Sequence, residues 1–255
     1  MVNSNVKPNS FELIVIVGLN NTFGGFNNGF NEMKDAFNNV VFSNLYCIQR
    51  LYLAWMRKYE TQAPLRIRFI TFKDFDPPKE AFEKDNPYFE PTQDVLDFRK
   101  QKLLSEPFSI GDFYDYASQK EEVRQRIDEI LKSAVNYYEH PTNGLEALYE
   151  GLRSDFKEGS HRAIVLISDN EAKPLGGPYP LFCPKRYPKS EEELDRLWES
   201  LSDQGGIMFF AKSGSRYEEL SKRWKNAYFS PLQGNYGLTR LSPIEICEEI
   251  DRLFN

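Results

Sequence analysis

The chain has 255 residues, of which 40% are hydrophobic, and this is enough for a sizeable core in an α/β protein. The formal net charge is −6, and basic residues are interleaved with acidic ones, which argues against nucleic acid as a partner. No stretch approaches the roughly 20 apolar residues of a membrane span and the first residues lack an apolar signal core, so we expect a cytoplasmic protein without a membrane partner.

Cysteine use and segment composition bear on the compartment and the domain count. Cys47, Cys183 and Cys247 lie far apart in the sequence, and at most one pair could form a disulfide, so a reducing cytosol fits best. No low-complexity linker or internal repeat divides the chain. We therefore predict one domain over residues 1–255, with irregular insertions at about 73–117 and 170–189.

The first predicted element is a buried strand. Residues 13–17 are an unbroken aliphatic run, which indicates a central parallel strand covered on both faces. Apolar residues then recur every three to four positions over residues 26–55, which predicts one long helix or two joined by a bend. The second strand is predicted at residues 65–72, so the first three elements form a βαβ crossover.

The later elements are predicted from caps, breaks and apolar runs. They are an edge strand at 108–114, a helix opened by a Ser118-x-x-Glu121 capping box and running to about 138, a helix capped by Thr142, a buried strand at 162–169, a helix opened by a Ser190-x-x-Glu193 box and broken at Gly205 and Gly206, a strand at 207–211, a helix at 217–224, a strand at 227–229 and a final helix at 242–254. Strands alternate with helices throughout. This order predicts an α/β, doubly wound, mostly parallel central sheet flanked by helices.

Polar residues occur at three places, at the carboxyl ends of predicted strands or in the loops beside them. Asn20 and Thr22 follow the first strand, Thr142 precedes a helix, and Asp169 ends the third long strand. All four supply hard oxygen ligands, the type that Mg²⁺ or Mn²⁺ prefers. The loops at these strand ends are the predicted binding edge of the sheet.

Three segments carry a resemblance to a known family. Residues 18–22 read Gly-Leu-Asn-Asn-Thr, residues 141–148 read Pro-Thr-Asn-Gly-Leu-Glu-Ala-Leu, and residues 163–172 read Ala-Ile-Val-Leu-Ile-Ser-Asp-Asn-Glu-Ala. This layout resembles the von Willebrand factor A (vWA) domain, whose first strand ends in Asp-x-Ser-x-Ser and whose later Thr and Asp complete a metal-ion-dependent adhesion site. The resemblance implies a vWA/Rossmann-like fold and places the metal ligands at Asn20, Thr22, Thr142 and Asp169.

The first motif departs from the family pattern. Gly18 stands where the family has its leading Asp, and Asn20 and Thr22 replace its two serines. Asp169 is then the sole carboxylate at the expected ligand positions, and one carboxylate with neutral oxygens holds a divalent ion weakly. We therefore expect a degenerate adhesion site with no cofactor, its groups capping helices and pinning loops, with a residual Mg²⁺ or Mn²⁺ site as the alternative.

The C-terminal stretch adds a second resemblance. Residues 223–238, followed by the predicted final helix, are similar to bacterial vWA-like proteins that occur with kinase and phosphatase partners, including tellurite-resistance-associated ones. This similarity implies an adaptor in a signalling or stress-response system.

Two alternative interpretations would make the chain an enzyme. Gly18, Gly24 and Gly25 follow the first strand as in a phosphate-binding loop, but their spacing is not Gly-x-Gly-x-x-Gly. A hydrolase needs a nucleophile, a base and an orienting group, and His140, His161 and Cys183 lie in no such motif. We expect a protein that is not an enzyme, with a nucleotide-binding or hydrolytic α/β enzyme as the less favoured alternative.

The favoured function is protein–protein recognition by the loops at the carboxyl ends of the strands. Proline-rich excursions at residues 74–91 and 173–188 flank this edge, and proline reduces the entropy lost when a loop docks. Two alternatives stay open at this stage. One is metal-dependent ligand binding at the residual site, and the other is that the loops merely cover a large sheet.

Overall fold

A computed structural model describes residues 8–18, 62–72, 108–133, 143–168, 171–175 and 187–232. The strands are β1 (Phe11–Gly18), β2 (Leu65–Phe72), β3 (Phe108–Ile110), β4 (Tyr114–Asp115), β5 (His161–Ser168), β6 (Gly205–Lys212) and β7 (Ala227–Leu232). The α-helices are α1 (Lys120–Ser133), α2 (Gly144–Leu152), α3 (Glu192–Leu201) and α4 (Arg216–Arg223). The predicted helices at 26–55 and 242–254 lie outside the described residues.

The strands form one mixed sheet in the order β3-β2-β1-β5-β6-β7, with β4 also paired to β2. Five neighbouring strands, β2, β1, β5, β6 and β7, are parallel to one another. The short strands β3 and β4 run antiparallel along the outer edge of β2. The predicted edge strand at 108–114 is thus two short strands. The prediction of an α/β, mostly parallel sheet flanked by helices is confirmed.

The aliphatic strands lie at the centre of this sheet. All eight residues of β1 are buried, as are the last six of β5 and the first seven of β6. A strand covered on both faces has no position for a solvated side chain, which is why the sequence of β1 does not alternate with polar residues. No described helix is long and apolar enough to cross a membrane.

One face of the sheet carries α2, α3 and α4. Because side chains alternate along a strand and the strands are in register, this face is built in layers. The layer at the amino ends is charged and contains Arg66, Glu12 and Arg162 side by side. Apolar layers follow. They pack against the three helices, and Trp198 of α3 belongs to this core. The layer at the carboxyl ends contains Phe72, Gly18 and Ser168.

Two predicted helix caps are wrong. The first α1 hydrogen bond runs from Val123 N to Gln119 O at 3.0 Å, so Gln119 is the N-cap. The Ser118 hydroxyl instead donates to Asp115 Oδ1 at 3.3 Å. Helix α2 is capped at Asn143 and not at Thr142, which itself lies outside the described residues. In both places the cap lies one residue later than the sequence pattern indicates.

The predicted Ser190 capping box is also absent, for a tertiary reason. Helix α3 begins at Glu192 after an N-cap at Glu191 that makes no side-chain capping bond. Glu193, the predicted box partner, instead accepts a hydrogen bond from the Tyr149 hydroxyl of α2 at 3.0 Å. A contact between two helices thus takes the carboxylate that the local pattern assigned to a cap.

Gly205 and Gly206, predicted to break the helix, do not end α3. A single 3₁₀ turn, Ser202–Gln204, follows the helix, and Gly205 is already the first residue of β6. A Cβ atom on Gly205 would lie 2.8 Å from the carbonyl oxygen of Arg162 in β5. The glycine therefore allows β6 to approach β5 closely, which is a packing requirement that a turn signal does not distinguish.

Candidate functional site

The reversal of strand order occurs beside β1. From β1 the chain builds outward through β2 on one side and then through β5, β6 and β7 on the other. The carboxyl ends of β1 and β5, at Gly18 and Ser168, form the topological switch point of the sheet. In open α/β sheets this crevice is where ligands and partners are met. We call it the carboxyl edge.

The position of the family's leading Asp is closed by an aromatic ring. Gly18 pairs in register with Phe72 of β2. A Cβ atom on Gly18 would lie 3.1 Å from Phe72 Cζ and 3.4 Å from Ser168 Oγ. Phe72 is itself fully buried, so it has no free space to move into. A carboxylate side chain at position 18 would therefore displace packed core atoms.

The start of α2 is fitted against the same ring. A Cβ atom on Gly144 would lie 1.7 Å from the Tyr217 hydroxyl oxygen and 3.2 Å from Phe72 Cε2. Tyr217, from α4, is fully buried and stacks on Phe209 of β6 with ring centroids 5.9 Å apart. Glycine at position 144 is required because no side chain fits between α2, α4 and β2.

The carboxyl edge also holds polar atoms that sequence reasoning did not single out. Asn143 is 4% exposed and caps α2 by position, yet its Oδ1 has no hydrogen-bond partner among the described residues. Ser215 Oγ at the start of α4 is likewise buried without a described partner. In place of Ser215, Glu171 caps α4, because its Oε1 accepts from Arg216 N at 3.0 Å.

The helices behind this edge are tied by an ionic cluster. Glu191 accepts from Arg216 Nη1 at 3.1 Å and from Arg223 Nη2 at 2.7 Å, and Asp195 lies 2.9 Å from Arg223 Nη2. Trp224 Nε1 also donates to Asp195 at 2.6 Å. Several charges in one network hold geometry better than an isolated surface pair. This cluster therefore fixes α4, and with it Tyr217, relative to α3.

Tyr149 ties α2 to α3. Its hydroxyl donates to Glu193 Oε1 at 3.0 Å and accepts from Arg153 Nη1 at 3.0 Å. Burial raises the pKa of the Tyr149 phenol above its ordinary value of 10.0, and the hydrogen bond to Glu193 raises it further. The phenol thus stays protonated beyond the pH at which a solvated tyrosine ionises.

The four predicted metal ligands, Asn20, Thr22, Thr142 and Asp169, lie outside the described residues. Described residues near them in the sequence, Gly18, Gly144 and Ser168, lie close together in the structure. Gly18 and Gly144 lie beside the Phe72 ring, and Ser168 lies beside Gly18. The three loops that carry the predicted ligands therefore start from one small area, while the ligand set itself stays a prediction.

The described residues do not fit a divalent metal ion. The backbone position that supplies the family's leading carboxylate is Gly18, and the space beside it is taken by Phe72. No group of three His, Cys, Asp or Glu side chains able to hold a metal occurs within the described ranges. Two buried oxygens without a described partner at the starts of α2 and α4, on Asn143 and Ser215, are neutral. Neutral oxygens alone do not replace the hydration of Mg²⁺.

His161, a residue that a hydrolase could have used, lies at the amino end of the sheet. His161 is the first residue of β5 and Ser168 is the last. At about 3.3 Å per residue, these two residues are about 23 Å apart along the strand. The His161 ring contacts Phe11, with centroids 6.0 Å apart, and so belongs to the amino end of the sheet. His140 and Cys183 lie outside the described residues.

Comparison with solved structures supports the fold. The chain resembles the human COPII-coat protein Sec24c, with a TM-score of 0.52 and 11% identity over 97% of this chain. It also aligns with proximal thread matrix protein 1 from the mussel byssus, with a TM-score of 0.42 and 11% identity over 94% of this chain. The chain spans 33% of the Sec24c chain and 49% of the mussel protein.

Neither a protein-family model nor a curated protein sequence matches the chain. At 11% identity the likeness to Sec24c shows the fold alone. It is the α/β fold with a mostly parallel sheet that the strand order establishes.

Proposed function

We propose that the chain is a non-catalytic protein-interaction domain of the vWA kind, which binds a partner protein through the loops of its carboxyl edge without a metal ion. The observation that carries the proposal is that three loop anchors, Gly18, Gly144 and Ser168, lie in one small area of the carboxyl edge. Gly18 and Gly144 approach the Phe72 ring, and Ser168 approaches Gly18. Loops that leave one rigid area can present a single continuous surface to a partner.

The floor of this edge suits presentation rather than catalysis. Phe72 and Tyr217 close it with fully buried rings, and Glu171 is engaged in capping α4. A hydrolytic site needs a base within hydrogen-bond reach of a nucleophile. His161, the histidine that the structure describes, lies at the opposite end of β5. The described residues of the edge thus contribute shape and rigidity.

The adaptor role rests on this geometry and not on the comparisons. Sec24c is a coat protein, and its likeness to this chain is one of fold. It supports the proposal only in that a scaffold of the same kind occurs in a protein that works within an assembly. The resemblance of residues 223–238 to vWA-like proteins of kinase and phosphatase systems proposes the partner class, a regulatory protein of a signalling or stress pathway.

Affinity capture with matched variants tests the proposal. The intact protein and a triple variant, Asn20→Ala with Thr22→Ala and Thr142→Ala, are immobilised, exposed to extract of the source organism in Mg²⁺, and then washed with EDTA. We expect a partner that the intact protein retains, that the triple variant loses, and that Arg124→Gln on exposed α1 retains. A partner retained equally by all three proteins, or released by EDTA, contradicts metal-free recognition at this edge.

A further inference from the structure

A cluster of arginines lies at the opposite end of the sheet, on the face that carries α2. Glu12 of β1 is completely buried and lies in register between Arg66 of β2 and Arg162 of β5. Its Oε1 accepts a hydrogen bond from Arg66 Nη1, and its Oε2 accepts from Lys157 N at 2.8 Å. Both carboxylate oxygens are therefore already engaged, and neither bonds to Arg162.

The Arg162 guanidinium has no hydrogen-bond acceptor within the described part of the chain. It is half-buried, and no described residue accepts a hydrogen bond from its guanidinium, whose Nε is fully shielded. The guanidinium lies over the Phe156 ring, 5.0 Å from its centroid. Burial lowers the pKa of Arg162 by more than the negative charge of Glu12 raises it. A guanidinium has five donors, and the Nη groups of Arg162, unlike its Nε, are not among the fully shielded atoms, so they can reach a ligand.

The neighbouring groups leave this cluster positive. Arg68 pairs with Asp155 at 2.8 Å, and Arg66 pairs with Glu12. Among the described residues, these three guanidinium groups and two carboxylates carry a net charge of +1, and Arg162 is the arginine of the three without an ion pair. The exposed Lys157 and Glu158 beside the cluster offset each other.

Two aromatic rings hold the arginines in place. Arg66 and Arg68 both lie over Phe113, 4.2 Å and 4.3 Å from its centroid. Phe113 in turn contacts Phe156, with ring centroids 6.4 Å apart. Stacking on an aromatic face fixes the plane of a guanidinium and so reduces the entropy it loses when it binds. The donors of Arg162 are therefore positioned before a ligand arrives.

We propose that Arg162, supported by Arg66 and Phe156, forms a binding site for a carboxylate, supplied by an Asp or Glu side chain of a partner protein. A guanidinium fork matches a carboxylate with two parallel hydrogen bonds. A carboxylate carries one negative charge, which equals the uncompensated charge of the cluster. A phosphate group carries about −1.5 to −2 and would exceed it. This site is independent of the proposed function at the carboxyl edge.

Peptide titration tests the site. The probe is acetylated tetraglutamate amide, with tetraglutamine amide as the uncharged control, titrated into the full chain at low ionic strength by calorimetry. We expect saturable binding of the acidic peptide and none of tetraglutamine. Arg162→Gln should weaken the affinity at least tenfold, whereas Arg124→Gln on exposed α1 should leave it unchanged. Equal affinity in Arg162→Gln, or no binding by the intact chain, overturns the proposal.

Two further measurements separate the arginine fork from general charge. Arg162→Lys keeps the charge and loses the fork, so its affinity should fall between those of the intact chain and Arg162→Gln. An affinity equal to that of the intact chain means that charge alone holds the peptide, which contradicts the assignment. Inorganic phosphate is then titrated as a competitor. Acetate is titrated as the second competitor. If phosphate displaces the peptide at a lower concentration than acetate, the preference for a carboxylate is contradicted.

Discussion

The two ends of β1 are built in opposite ways, although they belong to the same strand and the same sheet face. At the carboxyl end, Gly18 is packed against the Phe72 ring, and the described atoms around it are neutral. At the amino end, Glu12 is buried between Arg66 and Arg162. The carboxyl end is filled by a packed aromatic ring, and the amino end is filled by charged side chains.

This difference separates two kinds of recognition. An edge closed by packed rings gives loops a rigid base, and the Glu171 carboxylate there is already engaged in capping α4. An edge closed by a charged layer has donors left over, because one carboxylate cannot satisfy two guanidinium groups. We therefore expect shape-dependent binding at the carboxyl edge and salt-dependent binding at the amino end.

The largest expected effect comes from Glu12→Gln. The carboxylate is completely buried, and its removal leaves Arg66 and Arg162 without their shared counter-charge. Breaking a buried pair by removing one partner destabilises a protein by about 3–5 kcal/mol. We expect the free energy of unfolding, measured by urea denaturation, to fall by about 3 kcal/mol.

Glu129→Gln is the matched control for this change. Glu129 lies 3.1 Å from Arg126 on α1, and its side chain is 65% exposed. An exposed pair of this kind contributes at most about 1 kcal/mol. Equal losses in the two variants would show that the amino end is solvated like an ordinary surface, and the contrast between the ends of β1 would disappear.

The next largest effect is expected at the carboxyl edge. Gly→Ala within a helix ordinarily stabilises by up to about 1 kcal/mol. At Gly144 the added Cβ would meet the Tyr217 hydroxyl at 1.7 Å, so the sign should reverse. We expect Gly144→Ala to lose about 2–3 kcal/mol in urea denaturation, because overpacking a tight core forces backbone shifts.

A double-mutant cycle identifies the cause of that loss. Tyr217→Phe removes the clashing oxygen and leaves Tyr217 Cζ, at 3.0 Å, as the nearest atom. In the Tyr217→Phe background, Gly144→Ala should therefore be clearly less destabilising than in the intact protein. If the loss is the same in both backgrounds, the Tyr217 hydroxyl is not what excludes a side chain at position 144.

The sequence predicts the central sheet because burial on both faces leaves a direct mark on composition. The aliphatic runs in β1 and β5 have no polar alternation, and both strands lie where this pattern places them. Helix caps were predicted less well. Ser118 and Glu193 have the right spacing for caps, but their hydrogen bonds go to Asp115 and Tyr149. Local spacing does not reveal which partners the fold supplies.

The candidate sites were predictable to different degrees. The carboxyl edge follows from strand order, because the switch point lies wherever the chain reverses direction across the sheet. The amino-end cluster was missed, because Glu12, Arg66 and Arg162 are adjacent only after the register of three strands is known. In the sequence, the one available signal was a charged residue interrupting each strand pattern near its start.

A smaller effect is expected at Tyr149, which lies on α2 between the two ends of the sheet. Its pKa is raised above 10.0 by burial and by Glu193. A raised pKa in the folded state means that the stability it contributes is fully present below pH 10.0 and is lost as the pH rises through the folded value. Tyr149→Phe should therefore be less stable than the intact protein by about 1 kcal/mol below pH 10.

Urea denaturation of both proteins between pH 8 and pH 11 checks this expectation. The difference between intact protein and Tyr149→Phe should shrink at the alkaline end, because the intact protein loses the hydrogen bond to Glu193 when the phenol ionises. The comparison of two variants removes the contribution of other groups that titrate in this range. A difference that stays constant up to pH 11 would contradict the assignment.

The smallest expected effect concerns metal ions at the carboxyl edge. Because Gly18 supplies no carboxylate, we expect the melting temperature of the intact protein to be the same in Mg²⁺, Mn²⁺ and EDTA. The melting temperature of Asp169→Ala should likewise not depend on the metal.

Gly18→Asp adds the family's leading acid but drives its Cβ to 3.1 Å from Phe72, so it should lower the melting temperature without gaining a response to Mg²⁺. A saturable rise in the intact protein that Asp169→Ala abolishes would mean that the loops complete a metal site from neutral oxygens and one acid. In that case the carboxyl edge is charged when occupied, and the two ends of β1 differ in the sign of their charge rather than in its presence.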